Sequence, residues 1–375
     1  LKLLNMSDEK IFNEEHNETL ETKCHDCGAI LNFAPGTNNL KCQYCGAENE
    51  IVPEDTEPIE ELDFDAYIKE TVKEEDTMQV ATVKCTACGA SSTLKPNISS
   101  DECPFCGTPI IVQGGTMTSI IKPKSLLPSK ITQKEAYEGF RRWIKKLWFA
   151  PTALKKYALQ ADKLKGMYIP FWTYDSDTYT KYSGARGTYY YVTETYTEGG
   201  QTKTRQVRKI RWTPVSGSVS HFFDDILIVA SHSLPIKKVN KLEPWDFENL
   251  TNFDERFLSG FQTETYQVDL KEGFEQAKKV MESTIRNLVR RDIGGDEQRI
   301  YSMNTQYSNI TFKHLLLPIW ISAYRFKKKV YRFLVNGRTG EVQGERPYSF
   351  WKIFFFILGI LAVIAIALYF FGVFE

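Results

Sequence analysis

The most apolar run of this chain lies close to its end: nineteen consecutive residues, 353–371, carry no ionisable group except a tyrosine. As a helix rising about 1.5 Å per residue they reach about 28 Å, close to the hydrocarbon thickness of a bilayer. A soluble core helix of that length breaks its apolar run with polar positions. Residues 347–375 are therefore expected to form a single transmembrane anchor that meets the lipid bilayer through 353–371. Upstream, apolar residues recur at helical spacing over 133–149 (Tyr137, Phe140, Ile144, Leu147 and Trp148), with Pro151 as the stop, and again over 271–292. Around these helices the texture is that of strands. The segments 167–174, 178–182, 187–198, 202–213, 226–230, 312–326 and 330–335 read as β-structure, with turns at Gly199-Gly200 and Asn336-Gly337. This predicts an antiparallel-sheet α+β body over 116–346. Pro170-Phe171-Trp172 after the first helix and Pro318-Ile319-Trp320 after the second form a weak echo, pointing to a duplicated unit.

The segment before the body has another logic. All eight cysteines fall into two copies of one pattern, Cys24, Cys27, Cys42, Cys45 and then Cys85, Cys88, Cys103, Cys106, each pair followed by glycine (Gly28, Gly46, Gly89, Gly107). Two cysteines separated by two residues present both sulfurs from one tight turn, and a second such turn completes the tetrahedron that zinc prefers. A glycine after each pair permits the positive φ that folds the backbone around the thiolates. Four cysteines leave no open ligand position, so two structural Zn(2+) ions per chain are expected, and His25 in the first turn is a loop residue. A disulfide framework fits poorly, because the polar start of the chain shows no apolar secretory segment. A redox CxxC is expected once, before a helix, rather than four times in pairs. The chain thus divides into an acidic tail (1–22), zinc ribbon 1 (23–52), an acidic linker (53–80) whose apolar thread Leu62, Phe64, Tyr67, Ile68 suits a short docked helix, zinc ribbon 2 (81–115), the body and the anchor.

Charge separates the two halves. Residues 1–120 hold 8 lysines and no arginine against 22 acidic residues, a net of −14, and the remainder carries +14, so the formal total is zero. Ribbons that track phosphates need a basic face; these sit in an acidic segment and are expected to project as a protein-docking module, nucleic acid being the less favoured ligand. In this picture chelation unfolds the acidic half and spares the body. Within the body, Lys203, Arg205, Lys209 and Arg211 share one face of an extended strand, Arg208 lies on the other, and Tyr189, Tyr190 and Tyr191 come from the strand before the turn. Such a hairpin suits an anionic surface, whether RNA, lipid headgroup or acidic protein, and equally suits a charged edge strand that resists aggregation.

No phosphate-binding glycine loop, HExxH or GxSxG occurs. His16, His221, His232 and His314 are scattered; Asp175 with Asp177, and Asp224 with Asp225, are carboxylate pairs too slight to carry an enzyme. Arg338, Arg346 and Lys352 precede the apolar span with Tyr348 and Trp351 as interfacial aromatics, and this basic flank is expected on the cytoplasmic side, leaving nearly the whole chain in the cytosol.

CHDCGA, CQYCGAE, CTACGA and CPFCGTP, the run HLLLPIWISAYRF, and VNGRTGEVQGERPYS directly before the span together resemble a bacterial group of TFIIB-type zinc-ribbon-containing membrane proteins. The resemblance implies a tail-anchored protein at the inner face of the bacterial cell membrane, associated with envelope-stress machinery of the phage-shock type and recruiting cytosolic and membrane proteins. The expectation is an adaptor, not an enzyme; the alternative is a membrane-tethered nucleic-acid binder using the basic hairpin 201–212.

Overall fold

The computed structural model describes residues 23–52, 58–69, 77–93, 100–111, 116–152, 164–326 and 329–370. The acidic tail 1–22 and parts of the linker lie outside them. The first cysteine quartet is carried by an antiparallel sheet of β1 (Leu31–Phe33), β2 (Asn39–Cys42) and β3 (Glu48–Glu50). The linker contributes β4 (Leu62–Asp63) and α1 (Phe64–Lys69), and Phe64 buries itself against Tyr174, Phe274 and Phe312. The second quartet belongs to β5 (Thr77–Lys84), β6 (Ser91–Thr93), the pair β7 (Ser100–Glu102) and β8 (Pro109–Ile111), and β9 (Thr116–Ile121), which pairs along β5.

The body then runs β10 (Ser125–Leu126), α2 (Gln133–Lys146), β11 (Lys165–Glu198), β12 (Gln201–Val229), β13 (Thr251–Asn252), β14 (Gln262–Thr263), α3 (Leu270–Ile293), β15 (Glu297–Phe326), β16 (Lys329–Asn336) and β17 (Val342–Gly344), and ends in α4 (Phe350–Phe370). Both long helices start where the sequence supplies caps. Thr132 and Glu135 form a reciprocal capping box on α2, and the Asp269 carboxylate accepts from the Glu272 amide at the start of α3. Among the described residues nine strands share one sheet, with β12, β11, β15, β10 and β13 in that order.

Several separate strands were expected where the structure has three long ones. At 34 residues, β11 extends roughly 110 Å at about 3.3 Å per residue. Gly184 and Gly217, which fall in the gaps between the expected strands, are close approaches. A side chain at Gly184 would collide with the Arg299 carbonyl, and one at Gly217 would meet the Tyr182 hydroxyl at 2.7 Å and the Asp292 carboxylate at 3.0 Å.

The echo of Pro-x-Trp corresponds to a pseudo-twofold arrangement. Ile169 lies opposite Leu317, and about that pair positions 148 residues apart exchange places: Pro170 faces Leu316 as Tyr168 faces Pro318. β10 pairs in parallel with β15 at Ser125↔Leu315 and Leu126↔Leu316; β14 pairs in parallel with β11 at Met167↔Gln262 and Tyr168↔Thr263. Each short strand therefore precedes its own helix and hydrogen-bonds to the long strand of the other unit.

Alternation along β11 and β15 builds a core on each side of the sheet. Tyr168, Leu316 and Trp320 face a cluster with α2, while Trp172, Tyr174 and Phe312 face one with α3. Met167, Ile169, Phe171, Leu315, Leu317 and Ile319 line the opposite side. The ribbons do not project. Leu31, Phe33 and Leu40 of ribbon 1 join the α2 cluster beside Phe140, Phe257 and Phe261, and Phe105 of ribbon 2 joins the opposite cluster with Leu127, Phe171 and Leu334. A ribbon of about thirty residues is too thin to bury such side chains by itself, and each is worth about 1.5–3 kcal/mol once covered. The body supplies the cover.

Candidate metal centres

Each CxxC turn is built by the same two backbone hydrogen bonds. The amides of Cys24, Cys42, Cys85 and Cys103 donate to the carbonyls of Ala29, Ala47, Ala90 and Thr108 at 2.8–2.9 Å, and the glycine amides of Gly28, Gly46, Gly89 and Gly107 donate back to those cysteines' carbonyls at 2.8–3.0 Å. The four glycines have φ of +72°, +80°, +77° and +66°, the left-handed region where a side chain is strained. Turning back at glycine aims both sulfurs of a pair inward. The four sulfurs of each quartet lie within 4.8 Å of one another, with Cys24–Cys45 and Cys27–Cys42 at 3.5 Å and Cys85–Cys106 and Cys88–Cys103 at 3.7 Å. A tetrahedral ion with metal–sulfur bonds of about 2.3 Å sets sulfurs about 3.7 Å apart, so both quartets fit one.

The two centres differ in access. Cys27 and Cys45 are exposed, whereas in the second quartet Cys85, Cys103 and Cys106 are buried and Cys88 is half-buried. Backbone amides of Cys45 and Tyr44 hold the Cys42 thiol down at about 6. The Ala47 amide also favours ionisation of Cys45, but the neighbouring sulfurs of Cys24 and Cys42 outweigh it and push that thiol up to about 12. In the second quartet burial raises Cys103 and raises Cys88 to about 11; it opposes ionisation of Cys106 as well, but the hydroxyl and amide of Thr108 bring that thiol down to about 7. Crowded thiols that resist losing their last protons are what a divalent cation relieves. The ribbons are also tied down from outside: Arg332 Nε donates to the Phe105 carbonyl inside the CPFC turn at 2.6 Å, Lys165 Nζ to the Glu102 carbonyl at 2.8 Å, and Ser259 Oγ to the Leu31 carbonyl at 2.5 Å.

The chain is 27% identical over 346 residues to the uncharacterized protein YdjG of Bacillus subtilis, a match spanning 90% of this chain and 93% of that protein. No family model matches it. The likeness thus runs from the cysteine segment through the body and is not confined to the ribbons.

The basic hairpin forms as expected. Lys203, Arg205, Lys209 and Arg211 lie on one face and Arg208 on the other, but Glu198 meets Lys203 at 2.8 Å, and Glu194 meets Lys209 at 3.1 Å and Arg205 at 3.4 Å. Arg208 stacks over Tyr189 at 4.2 Å and Arg211 over Tyr190 at 5.3 Å.

One constellation escaped the sequence. Glu61 beside β4, Asp175 on β11 and Asp225 on β12 bring three carboxylates within 4.8 Å, and Lys313 of β15 reaches Glu61 and Asp225, each at 2.9 Å. Bulges in β11 around Asp175 and a left-handed Asp225 (φ +50°) re-aim the side chains toward one another. Burial, then the contact with Glu61, pushes Asp175 up to about 7. Burial works against ionising Glu61 too, yet hydrogen bonds from Asp175, Thr311 and Lys313 hold it at about 2. One shared proton and one ammonium offset two of the three acidic charges, and the contacts of Glu61 with Thr311 and Lys313 clasp the linker to the sheet.

The long apolar helix α4 is exposed along its length and leaves the body beside the end of α2. The Ser349 amide donates to the Phe149 carbonyl at 2.7 Å, Lys352 Nζ to the Ala150 carbonyl at 2.8 Å, and Phe149 meets Phe356 edge-on at 5.3 Å. Trp148, Tyr348, Phe350 and Trp351 are exposed around this junction. Arg338 does not flank it: its guanidinium forks onto Asp246 and donates to the Pro128 carbonyl. That leaves Arg346 and Lys352 as the basic residues at the foot of α4.

Proposed function

We propose that the chain is a membrane-anchored zinc-binding adaptor, which holds cytosolic and membrane protein partners at the inner face of a bacterial membrane. Each cysteine quartet takes one zinc ion as a structural rivet. α4 spans the bilayer, the exposed aromatics Trp148, Tyr348 and Trp351 sit at headgroup level, and Arg346 and Lys352 keep the body on the cytoplasmic side. Its mechanism is binding without turnover, and the partners are of the envelope-stress kind that the family resemblance implies.

The single observation that carries this reading is that one body packs against both cysteine segments and hydrogen-bonds to the foot of the apolar helix. Ribbons buried in the body, and a body hydrogen-bonded to the foot of α4, make a platform held at a fixed height above the membrane. Site-specific photo-crosslinkers at exposed positions of the ribbons, the body and the hairpin, introduced into the full chain in living cells, test it. Reproducible protein adducts lost on deleting α4 support the reading. Adducts to lipid or nucleic acid alone, or protein adducts indifferent to loss of α4, overturn it. Deleting the ribbons is the wrong experiment, because it removes side chains from two cores.

A further inference from the structure

The third strand of the sheet ends at Glu297, opposite Gly187, and the hairpin continues alone for roughly 35 Å, through Thr188–Glu198 and back along Gln201–Arg211. Its backbone parity is fixed at both ends. Gly199 and Gly200, with φ of +62° and +79°, make a two-residue turn that closes on the Glu198↔Gln201 pair. At the base, the Tyr189 amide turns outward to the Asp296 carboxylate at 2.7 Å, and the Gly187 carbonyl accepts from the Asp296 amide at 2.9 Å. Odd residues of β11 thus face away from β12, and with this unbroken register the even residues of β12 face away from β11. Thr202, Thr204, Gln206, Arg208, Ile210 and Trp212 present their peptide groups on an edge with no strand beside it among the described residues. Pro214 falls in the same parity, so its missing N–H ends the row of donors without costing the ladder a bond.

That edge carries five cations, of which Glu194 and Glu198 answer three; Arg208 and Arg211 pair with tyrosine rings and with no carboxylate among the described residues. An outward row of N–H and C=O groups is complemented in register only by another peptide strand. A second copy of this edge would set Lys and Arg against Lys and Arg, which the charges forbid. A strand with acidic side chains at alternate positions meets Lys203, Arg205, Lys209 and Arg211 on one face while its backbone completes the sheet.

We propose that the β12 edge over Thr202–Trp212 is a docking strand for an extended acidic segment of a partner protein, which adds to the sheet by backbone pairing. This deepens the adaptor reading and rests on it. The test uses the full zinc-loaded chain in detergent micelles and a labelled peptide alternating glutamate and valine, followed by fluorescence anisotropy. Binding is expected to weaken about tenfold or more when alternate peptide nitrogens are methylated and when the glutamates are replaced by lysine. Gln206→Pro removes one outward donor and leaves the inner ladder intact, so it should weaken binding similarly, whereas Gln206→Val should not; unchanged near-ultraviolet circular dichroism confirms that both variants fold. Peptide binding indifferent to N-methylation and to Gln206→Pro overturns the proposal. So does a Lys209→Glu/Arg211→Glu variant that loses phosphatidylglycerol vesicles or polyuridylate while keeping the peptide. Protein adducts from the ribbons or body with none from this edge would sink the dock and leave the adaptor reading standing.

Discussion

Trp172 and Trp320 occupy equivalent places in the two halves of the body. Trp172 Nε1 donates to the Val268 carbonyl at 2.9 Å and Trp320 Nε1 to the Ile131 carbonyl at 2.8 Å, and each carbonyl belongs to the residue just before the N-cap of a helix, Asp269 of α3 and Thr132 of α2. Each tryptophan fixes the helix of the other unit to the sheet. Trp172→Phe and Trp320→Phe, which keep an aromatic ring and orphan a carbonyl, should each lower stability by about 1–3 kcal/mol in denaturant titration. A large cost for one and none for the other would deny the equivalence.

Gly273 in the first turns of α3 should reverse the usual helix preference. Alanine in place of an ordinary helical glycine gains about 1 kcal/mol, but a methyl here would run into the Tyr174 hydroxyl and stand 3.0 Å from Trp172 Cδ1. Tyr174 is fully buried and donates to the Leu270 carbonyl at 2.7 Å, so it has nowhere to move. Gly273→Ala is therefore expected to destabilise by about 1–3 kcal/mol, read as a fall in unfolding midpoint; a rise would contradict the packing.

The linker clasp gives a pH signature. Asp175 is raised from its ordinary 3.8 to about 7, so the stability it contributes is full below 3.8 and is lost as pH climbs through 7. Glu61 runs the other way: held near 2, its contribution is present above 4.5 and lost only as pH falls through 2. Lys313, flanked by Glu61 and Asp225, is raised and stays charged across this window. Asp175→Asn mimics the protonated carboxyl, so its melting temperature relative to the native chain should increase from pH 5 to pH 8. The comparison isolates the clasp from buried His314 and Glu264, which titrate near 4 and 7 under the pressure of burial. A difference independent of pH would remove the shared proton.

The two cysteine quartets should react at different rates. Cys27 and Cys45 are exposed while the three cysteines around Cys88 are buried, so a thiol reagent or chelator should strip the first site before the second, seen as two phases of metal release. Cys45→Ser should abolish the fast phase alone.

Much of this was legible. The cysteine spacing, both long helices, the Gly199-Gly200 turn, the face shared by Lys203, Arg205, Lys209 and Arg211, and the apolar helix follow from local periodicity and turn chemistry. The continuity of β11 was hidden because 183–186 falls in a gap between two expected strands, whereas Gly184 and Gly187 make room for neighbours that only the fold brings near: the Arg299 backbone at the first, Ile210 and Trp212 at the second. The clasp was hidden for a related reason. Glu61 and Lys313 are separated by 252 residues, and nothing local to either foretells the pair. Ribbon docking was missed because nothing local to Leu31, Phe33 and Phe105 names the surfaces they meet.

The central claim is that two metal ions are built into the body. Metal content measured on the reduced, reconstituted full chain, together with near-ultraviolet circular dichroism before and after chelation, tests it most directly. The account predicts two zinc ions per chain and, on their removal, loss of the aromatic signal from the body around Trp172 and Trp320 along with that of the ribbons. Fewer than one ion per chain, or a metal-free chain whose body keeps its aromatic signal, would contradict it.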